Sequence, residues 1–178
     1  MKANALPRLP FFVYGTLRPG FGFQNYRDTL RDTTTDGGTA MVPNAALWHL
    51  TGFPGVYLPQ NGVAAASALS DQFDFTGTVT GSLLYVAGKG DDAYRAALAR
   101  ADRLECYLGK GHPDNMYQRV EVDAVTETGQ VITAWLYEAL IDPAGIPTAK
   151  PVPLGDWPTF VEAQQVAVAG EEWKTGIA

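Results

Sequence analysis

Bulky apolar residues gather along this chain in short runs, and one longer segment repeats them at helical spacing. Phe11, Phe12, Val13 and Tyr14 stand unbroken, the pattern of a buried, central strand. Gly15 follows, where the backbone can leave the strand in a conformation, or at a closeness, that a Cβ would forbid. A short helix over 26–31, with Asn25 as its cap, comes next. The Thr/Asp/Gly cluster at 33–38 is a turn signal. Short strands are expected at 39–42, 45–50 and 56–58. Residues 59–76 show no sustained period, although Ala64, Ala65 and Ala66 allow one helical turn. They read as an insertion, mobile or weakly structured, near the mouth of a pocket. A strand resumes over 77–86.

Tyr94, Ala97, Leu98, Ala101 and Leu104 recur at helical spacing and predict a helix over 91–104, capped by Asp91 or Asp92. Gly109 and Gly111 end that segment. Residues 117–125 and 131–139 form a β-pair around Thr128-Gly129, with Val120, Val122, Ile132, Trp135 and Tyr137 as its apolar members. A Pro-rich connector over 143–153 leads to Gly155-Asp156-Trp157-Pro158 and a short terminal helix over 159–168. Residues 1–9 are a loose lead-in. There is no internal repeat. Many short strands with two or three helices make one α+β domain over 1–178, its sheet curled into a small mixed β-barrel with flanking helices.

Composition narrows the classes. A chain of 178 residues fits one domain, and 46% hydrophobic content can fill a core. A net charge of -6 argues against a basic nucleic-acid footprint. The single cysteine, Cys106, rules out an internal disulfide and fits a reducing, cytoplasmic setting. Two histidines and one cysteine cannot build a structural zinc site of the usual kind. The first ten residues hold no apolar stretch of signal-peptide length, and no window reaches the about 20 apolar residues of a membrane span.

Two places could carry chemistry. Where the first strand ends at Gly15, the N–H groups of Thr16 and Leu17 lose their ladder partners and need an acceptor. Successive N–H groups of this kind can hold a carboxylate or an oxyanion. The blander reading is an ordinary strand and a Pro19-Gly20 turn. Glu105 closes the best helix among Leu104, Cys106, Tyr107 and Leu108. Burial there would raise its pKa toward the range of a proton shuttle. By periodicity alone, an exposed helix-end carboxylate is the more ordinary reading. Asp102, three residues earlier, holds a turn or pairs with Arg100 or Arg103. His49 is a core or rim residue, His112 is solvated, and Cys106 is a buried, inert thiol. Thr16 has no Ser/His/Asp arrangement to activate it as a nucleophile. The Gly-Lys-Gly and Gly-Phe-Gly runs lack phosphate-loop spacing.

Taken together, four segments form a resemblance. Tyr14-Gly15-Thr16-Leu17, followed by Arg18-Pro19-Gly20, resembles the Tyr-Gly-Ser/Thr-Leu signature of the gamma-glutamylcyclotransferase-like family, which includes gamma-glutamylamine cyclotransferase and avirulence-induced-gene-like proteins. Asp102-Arg103-Leu104-Glu105-Cys106-Tyr107 is similar to that family's Leu-Asp-x-x-Glu-Gly-Tyr segment. Tyr117-Gln118-Arg119 with Ala134-Trp135-Leu136-Tyr137, and the closing Gly155-Asp156-Trp157, resemble the family's later segments in the same order. The likeness runs over roughly 11–160. It implies a small β-barrel, a pocket at its mouth, no cofactor, and a small γ-glutamyl substrate. It also implies Glu105 as general acid/base, with the Gly15, Thr16 and Leu17 backbone holding a glutamyl-like group. Tyr14 and Tyr117 are the expected lining side chains. The reaction implied is attack of a γ-glutamyl amide's own α-amine on its γ-carbonyl, giving 5-oxoproline. A hydrolase or acyltransferase relative, or a binding protein for a small carboxylate or amine, would fit the same residues. Cys106 departs from the family's small residue, often glycine, and the 59–76 insertion departs from its length.

Overall fold

The computed structural model describes residues 7–165. Expected features at 1–6 of the lead-in and 166–168 of the terminal helix lie outside the described residues. The strands are β1 (Phe11–Val13), β2 (Thr34–Pro43), β3 (Ala46–His49), β4 (Pro54–Tyr57), β5 (Thr78–Val86), β6 (Tyr117–Thr126), β7 (Val131–Ala139) and β8 (Lys150–Pro151). The helices are α1 (Gln24–Thr29), α2 (Gly62–Ala66), α3 (Asp91–Leu104) and a last helix, α4, at 157–165.

Five strands close a mixed barrel in the order β1-β5-β2-β6-β7, with β7 returning to β1. β1 is antiparallel to β5, with Phe12 opposite Leu83, and parallel to β7, with Phe11 opposite Trp135. Further along β7, Glu138 pairs with Val56 of β4, so one edge of β7 serves two strands in turn. β4, β3 and β8 extend the sheet beyond the barrel.

The alternation of side chains along β1 divides the core in two. Phe12 and Tyr14 join Val42, Val79, Leu83, Val122 and Leu136 inside the barrel. Phe11 and Val13 face outward to Leu84 and Trp135, under the α3 side chains Tyr94, Ala97, Leu98 and Ala101. β1 is buried on both faces, which is why its sequence is an unbroken apolar run.

Several local expectations are corrected. The 33–38 cluster is not a turn between elements: β2 starts at Thr34 and runs on, shifting register between Asp36 and Thr39. A β-bulge uses the same residue types as a turn, and here the Asp36 carboxylate accepts the Gly38 N–H at 2.9 Å. Asn25 does not cap α1, whose cap position is Phe23; Asn25 Nδ2 instead donates to Thr16 Oγ1 at 2.9 Å. Asp91 and Asp92 lie in the first turn of α3 behind Gly90. That helix ends at Glu105, before either predicted glycine, and Cys106 takes the left-handed conformation at φ 50° that reverses the chain.

The 59–76 segment is built, not loose. Asn61 is buried, caps α2 through the N–H groups of Val63 and Ala64, and donates to the Ala139 carbonyl at 2.9 Å. Ser67 donates to Asp142 at 2.6 Å, and Phe73 sits 4.7 Å from the Trp48 ring and 4.9 Å from the Tyr57 ring. These anchors are long-range and irregularly spaced, so they leave no period to read.

The closing Gly-Asp-Trp motif ties the end of the domain to its beginning. Gly155 has φ 60°, and a Cβ there would run into the Thr78 carbonyl oxygen and come within 3.4 Å of the Val79 Cα. Its own carbonyl accepts the Thr80 N–H at 2.8 Å. Asp156 forms an ion pair with the buried Arg18, and Trp157 enters the barrel core. Gly155→Ala therefore meets both an unfavourable φ and backbone. It is expected to cost about 1–3 kcal/mol of stability, read as a lower urea midpoint with an unchanged slope.

Candidate active site

The end of β1 opens directly into a cavity of about 230 Å³. Tyr14, Gly15, Thr16, Leu17, Glu105 and Tyr117 all line it, so segments separated by some ninety positions in sequence meet on one concave surface. Among the described residues, no protein acceptor takes the N–H of Gly15, Thr16 or Leu17. The Gly15 carbonyl accepts from Arg18 N–H at 3.0 Å, which closes the turn. Gly15 does not need a positive φ, contrary to one of the two reasons for expecting glycine there. It needs to be small, because a Cβ would collide with the Pro54 ring on β4.

Two buried tyrosines tie the walls together. Tyr14 Oη donates to the Tyr137 carbonyl at 2.7 Å, and Tyr117 Oη donates to the Pro54 carbonyl at 2.7 Å. Burial, followed by repulsion from Tyr117 and from Glu105, pushes the Tyr14 hydroxyl well above its ordinary range. Burial, then Glu105, does the same to Tyr117. Both therefore remain neutral.

Glu105 is placed by the end of α3. Its N–H keeps the helical pattern, donating to the Ala101 carbonyl at 3.0 Å, and Cys106 then turns the chain away. The carboxyl group accepts no hydrogen bond from any described residue. Crowding by protein without a compensating donor raises its pKa from 4.5 to about 7. A carboxyl in that range can hold or release a proton near neutral pH.

Asp102 is occupied elsewhere. Its Oδ1 accepts from Arg119 Nη1 at 2.5 Å and from Tyr137 Oη at 2.6 Å. The partner is Arg119 of β6, not Arg100 or Arg103, because α3 lies on the barrel and the inward face of its last turn meets β6 and β7. The Arg119 guanidinium lies 5.0 Å above Tyr107 and 5.2 Å above Trp135, so the charge sits on aromatic rings on either side. The Asp102 carbonyl accepts Tyr107 N–H at 2.8 Å. Asp102 thus holds the turn that presents Glu105.

Cys106 is exposed and lines the cavity, which corrects the expectation of a buried thiol. His49 is a rim residue: it stacks on Trp157 at 5.7 Å, with Nδ1 3.2 Å from the Thr148 carbonyl. His112 is exposed in its loop. None of residues 59–76 lines the cavity, so that segment is not at its mouth. Sequence reasoning missed Pro54, Phe53, Asn25 and Met116 as wall residues; none belongs to a periodic run that could have marked it. It also missed Glu138, a carboxylate 1% exposed that accepts from Leu58 N–H at 2.9 Å and Gln118 Nε2 at 2.7 Å. Among the described residues, no group of three or more His, Cys, Asp or Glu could hold a metal ion, and no helix is long and apolar enough to cross a membrane.

Comparison with known proteins adds to this geometry. The family model described as "Gamma-glutamyl cyclotransferase, AIG2-like" matches residues 11–159. A curated relative, the gamma-L-glutamyl-butirosin B gamma-glutamyl cyclotransferase of Niallia circulans, is 27% identical over 126 residues. That alignment covers 71% of this chain and 64% of the relative, so the match spans a little under two thirds of the relative's length. Among solved structures, an uncharacterised protein of Pyrococcus horikoshii shares the fold with a TM-score of 0.54 at 19% identity, over 88% of this chain and 96% of that one. Kluyveromyces lactis allophanate hydrolase contains the same fold, with a TM-score of 0.56 at 12% identity, over 92% of this chain and 22% of that one.

The environment of Glu105 makes stability depend on pH. Its folded pKa lies above the unfolded value, so the folded state holds a proton that the unfolded chain has already lost. The group costs nothing below pH 4.5 and destabilises progressively as pH rises from 4.5 to about 7. Glu105→Gln removes that cost. The variant is expected to gain stability over the parent as pH rises through this window, reaching about 3 kcal/mol above it. Urea unfolding of both proteins at pH 4 and pH 8 measures it, and a pH-independent difference would mean that the carboxyl is not desolvated.

Proposed function

This chain belongs to the gamma-glutamyl cyclotransferase, AIG2-like family, and we propose that it releases 5-oxoproline from a small γ-glutamyl amide, with Glu105 moving the proton. One observation carries the reading: the unpartnered Glu105 carboxyl and the free N–H groups of Gly15–Leu17 share one cavity. The Niallia circulans relative, named for the same kind of reaction, supports it.

The chemistry balances with these groups. The substrate's α-ammonium first gives one proton to solvent. The freed lone pair attacks the γ-carbonyl carbon, and Glu105 takes a second proton from the nitrogen as the new C–N bond forms. The N–H groups of Gly15, Thr16 and Leu17 are the donors for the oxyanion that develops, or for the substrate's α-carboxylate. As the amide C–N bond breaks, Glu105 returns its proton to the departing nitrogen. The freed amine recovers a proton from water. A carboxyl with a pKa of about 7 suits both halves, because neither protonation state is far from reach at neutral pH. Nucleophile and electrophile belong to one molecule, so the protein's main task is to hold the chain in a near-attack shape. Tyr14 and Tyr117, fixed by their hydrogen bonds, shape that wall.

A panel of γ-glutamyl amino acids, amines and peptides, assayed for 5-oxoproline, tests the reading. Free glutamate as the product would make the protein a hydrolase. An unchanged ligand that nevertheless binds would make it a binding protein. Glu105→Gln is expected to fold, bind substrate and turn over about 10²–10⁴-fold more slowly. Asp102→Asn should act mainly through stability, because its carboxylate is committed to Arg119 and Tyr137. Loss of turnover in folded Asp102→Asn, with Glu105→Gln still active, would transfer the role to the other carboxylate.

A further inference from the structure

Tyr137 stands where both walls of the cavity meet β7. Its neighbours on that strand have different partners: Trp135 lies opposite Phe11 of β1, and Glu138 lies opposite Val56 of β4. Between them, the Tyr137 carbonyl takes the Tyr14 hydroxyl at 2.7 Å. That bond fastens the residue before Gly15, the root of the free N–H donors. The Tyr137 side chain lines the cavity and is 4% exposed. Its hydroxyl donates to Asp102 Oδ1 at 2.6 Å, and its ring meets the Tyr107 ring edge-on at 6.4 Å.

Asp102 and Tyr107 bracket Glu105 in the chain, and the Asp102 carbonyl closes the turn by accepting the Tyr107 N–H. Tyr137 therefore touches both ends of the turn with its side chain, while its main chain holds the opposite wall. Arg119 also reaches Asp102 and Tyr107, but from outside the cavity lining. Burial, then the negative charge of Asp102, raises the pKa of the Tyr137 phenol, so it remains a donor wherever Glu105 titrates. Hydrogen bonds to a carboxylate are strong and directional, so losing this one frees one side of the turn.

Resting on the cyclotransferase reading above, we propose that Tyr137 is a positioning residue for Glu105: it holds the Glu105 turn in register with the Gly15–Leu17 donors, without itself moving a proton. When its hydroxyl is removed, the Arg119–Asp102 pair still anchors α3. The turn is then held from one side, water reaches the carboxyl, and its pKa falls from about 7 toward the ordinary 4.5. The other titratable groups lining the cavity are Tyr14, Tyr117, Tyr137 and Cys106, with Asp102 and Arg119 paired behind them. All three tyrosines are pushed upward by burial and do not titrate in the range of Glu105.

Tyr137→Phe keeps the main-chain carbonyl and the ring, and removes only the donor to Asp102. Carbon-13 NMR titration of the Glu105 side-chain carboxyl and the kinetics of 5-oxoproline release are the two readouts. The variant is expected to lower the Glu105 pKa by about one unit and kcat by about tenfold or more, with KM within about twofold of the parent. Asp102→Asn is the comparison: it keeps a side-chain oxygen for the Tyr137 hydroxyl and should leave the Glu105 titration at its parental position. Tyr137→Phe with lower stability but parental kcat and parental Glu105 titration overturns the proposal, since the hydroxyl is then a structural tie alone. A raised KM with unchanged kcat also overturns it, since the hydroxyl then binds substrate. An equal titration shift in Asp102→Asn assigns the effect to the charge of Asp102 and removes Tyr137 from the role. Absence of 5-oxoproline from the whole panel overturns the cyclotransferase reading; the NMR titration then decides separately, and a Glu105 pKa that Tyr137→Phe leaves unmoved overturns this inference too.

Discussion

Everything in this molecule hangs from three residues that have no exposed side. Phe11, Phe12 and Val13 are buried on both faces and bonded on both edges, to β5 and to β7. A strand that short has little ladder energy of its own. Its position is set by side chains that fill the barrel on one face and support α3 on the other. Because the strand cannot shift register without moving aromatic rings out of both cores, the place where it ends cannot shift either. The Gly15–Leu17 segment is therefore presented on a rigid lip. Donors left free on a mobile loop would turn to water; donors left free at the end of a doubly buried strand stay where the core puts them.

The opposite wall obeys a second constraint of the same kind. α3 could pack on the barrel at any of several rotations as far as its alanines are concerned. Two anchors select one: Tyr94, bonded to the Leu9 carbonyl and to Trp135 of β7, and Asp102, joined to Arg119 on β6 and Tyr137 on β7. The guanidinium keeps its aromatic neighbours and its carboxylate, so little of its charge is left unmet. That network uses one carboxylate to fix position, and three residues later the chain leaves another with no partner among the described residues. The contrast within one turn accounts for the difference in character between Asp102 and Glu105. It also explains why Cys106 is tolerated where a smaller residue is usual in the resemblance: the φ of 50° belongs to the turn that swings the chain off the helix, and its side chain is exposed rather than packed.

How much of this is legible in the residues depends on whether the determinant is local. β1, α3 and the β6–β7 pair announce themselves, because each buries a regular face and a regular face leaves a period. The 33–43 stretch is different: a turn and the bulge at Asp36–Thr39 draw on the same glycine and aspartate, so the residues alone do not separate them. The 59–76 segment is illegible for another reason. It is held by Asn61 reaching Ala139 and by Ser67 reaching Asp142, contacts across more than seventy positions that no local pattern records. Glu105 and Gly15–Leu17 stand out singly as candidates, but only a resemblance links them; nothing in their own neighbourhoods says that they face one another. The walls contributed by Phe53, Pro54 and Met116 are invisible in the sequence, since each lies at the end of an element or in a loop.

The terminal Gly-Asp-Trp is less a separate motif than the other half of the first one. Arg18 comes directly after the Gly15–Leu17 turn, is almost wholly buried, and finds its counter-charge on Asp156. Buried arginine without such a partner would be costly enough to push the turn outward into water. Asp156 in turn is fixed by Gly155, whose missing Cβ lets the chain lie against β5, and by Trp157, which sinks into the barrel. The Gly155–Trp157 segment thus braces the Gly15–Leu17 turn from behind. A cavity whose backbone donors are free and whose carboxylate is unpaired among the described residues gains no stabilisation from those groups. The stabilisation has to come from outside the cavity wall, and the Arg18–Asp156 and Asp102–Arg119 pairs are placed there, one behind each side.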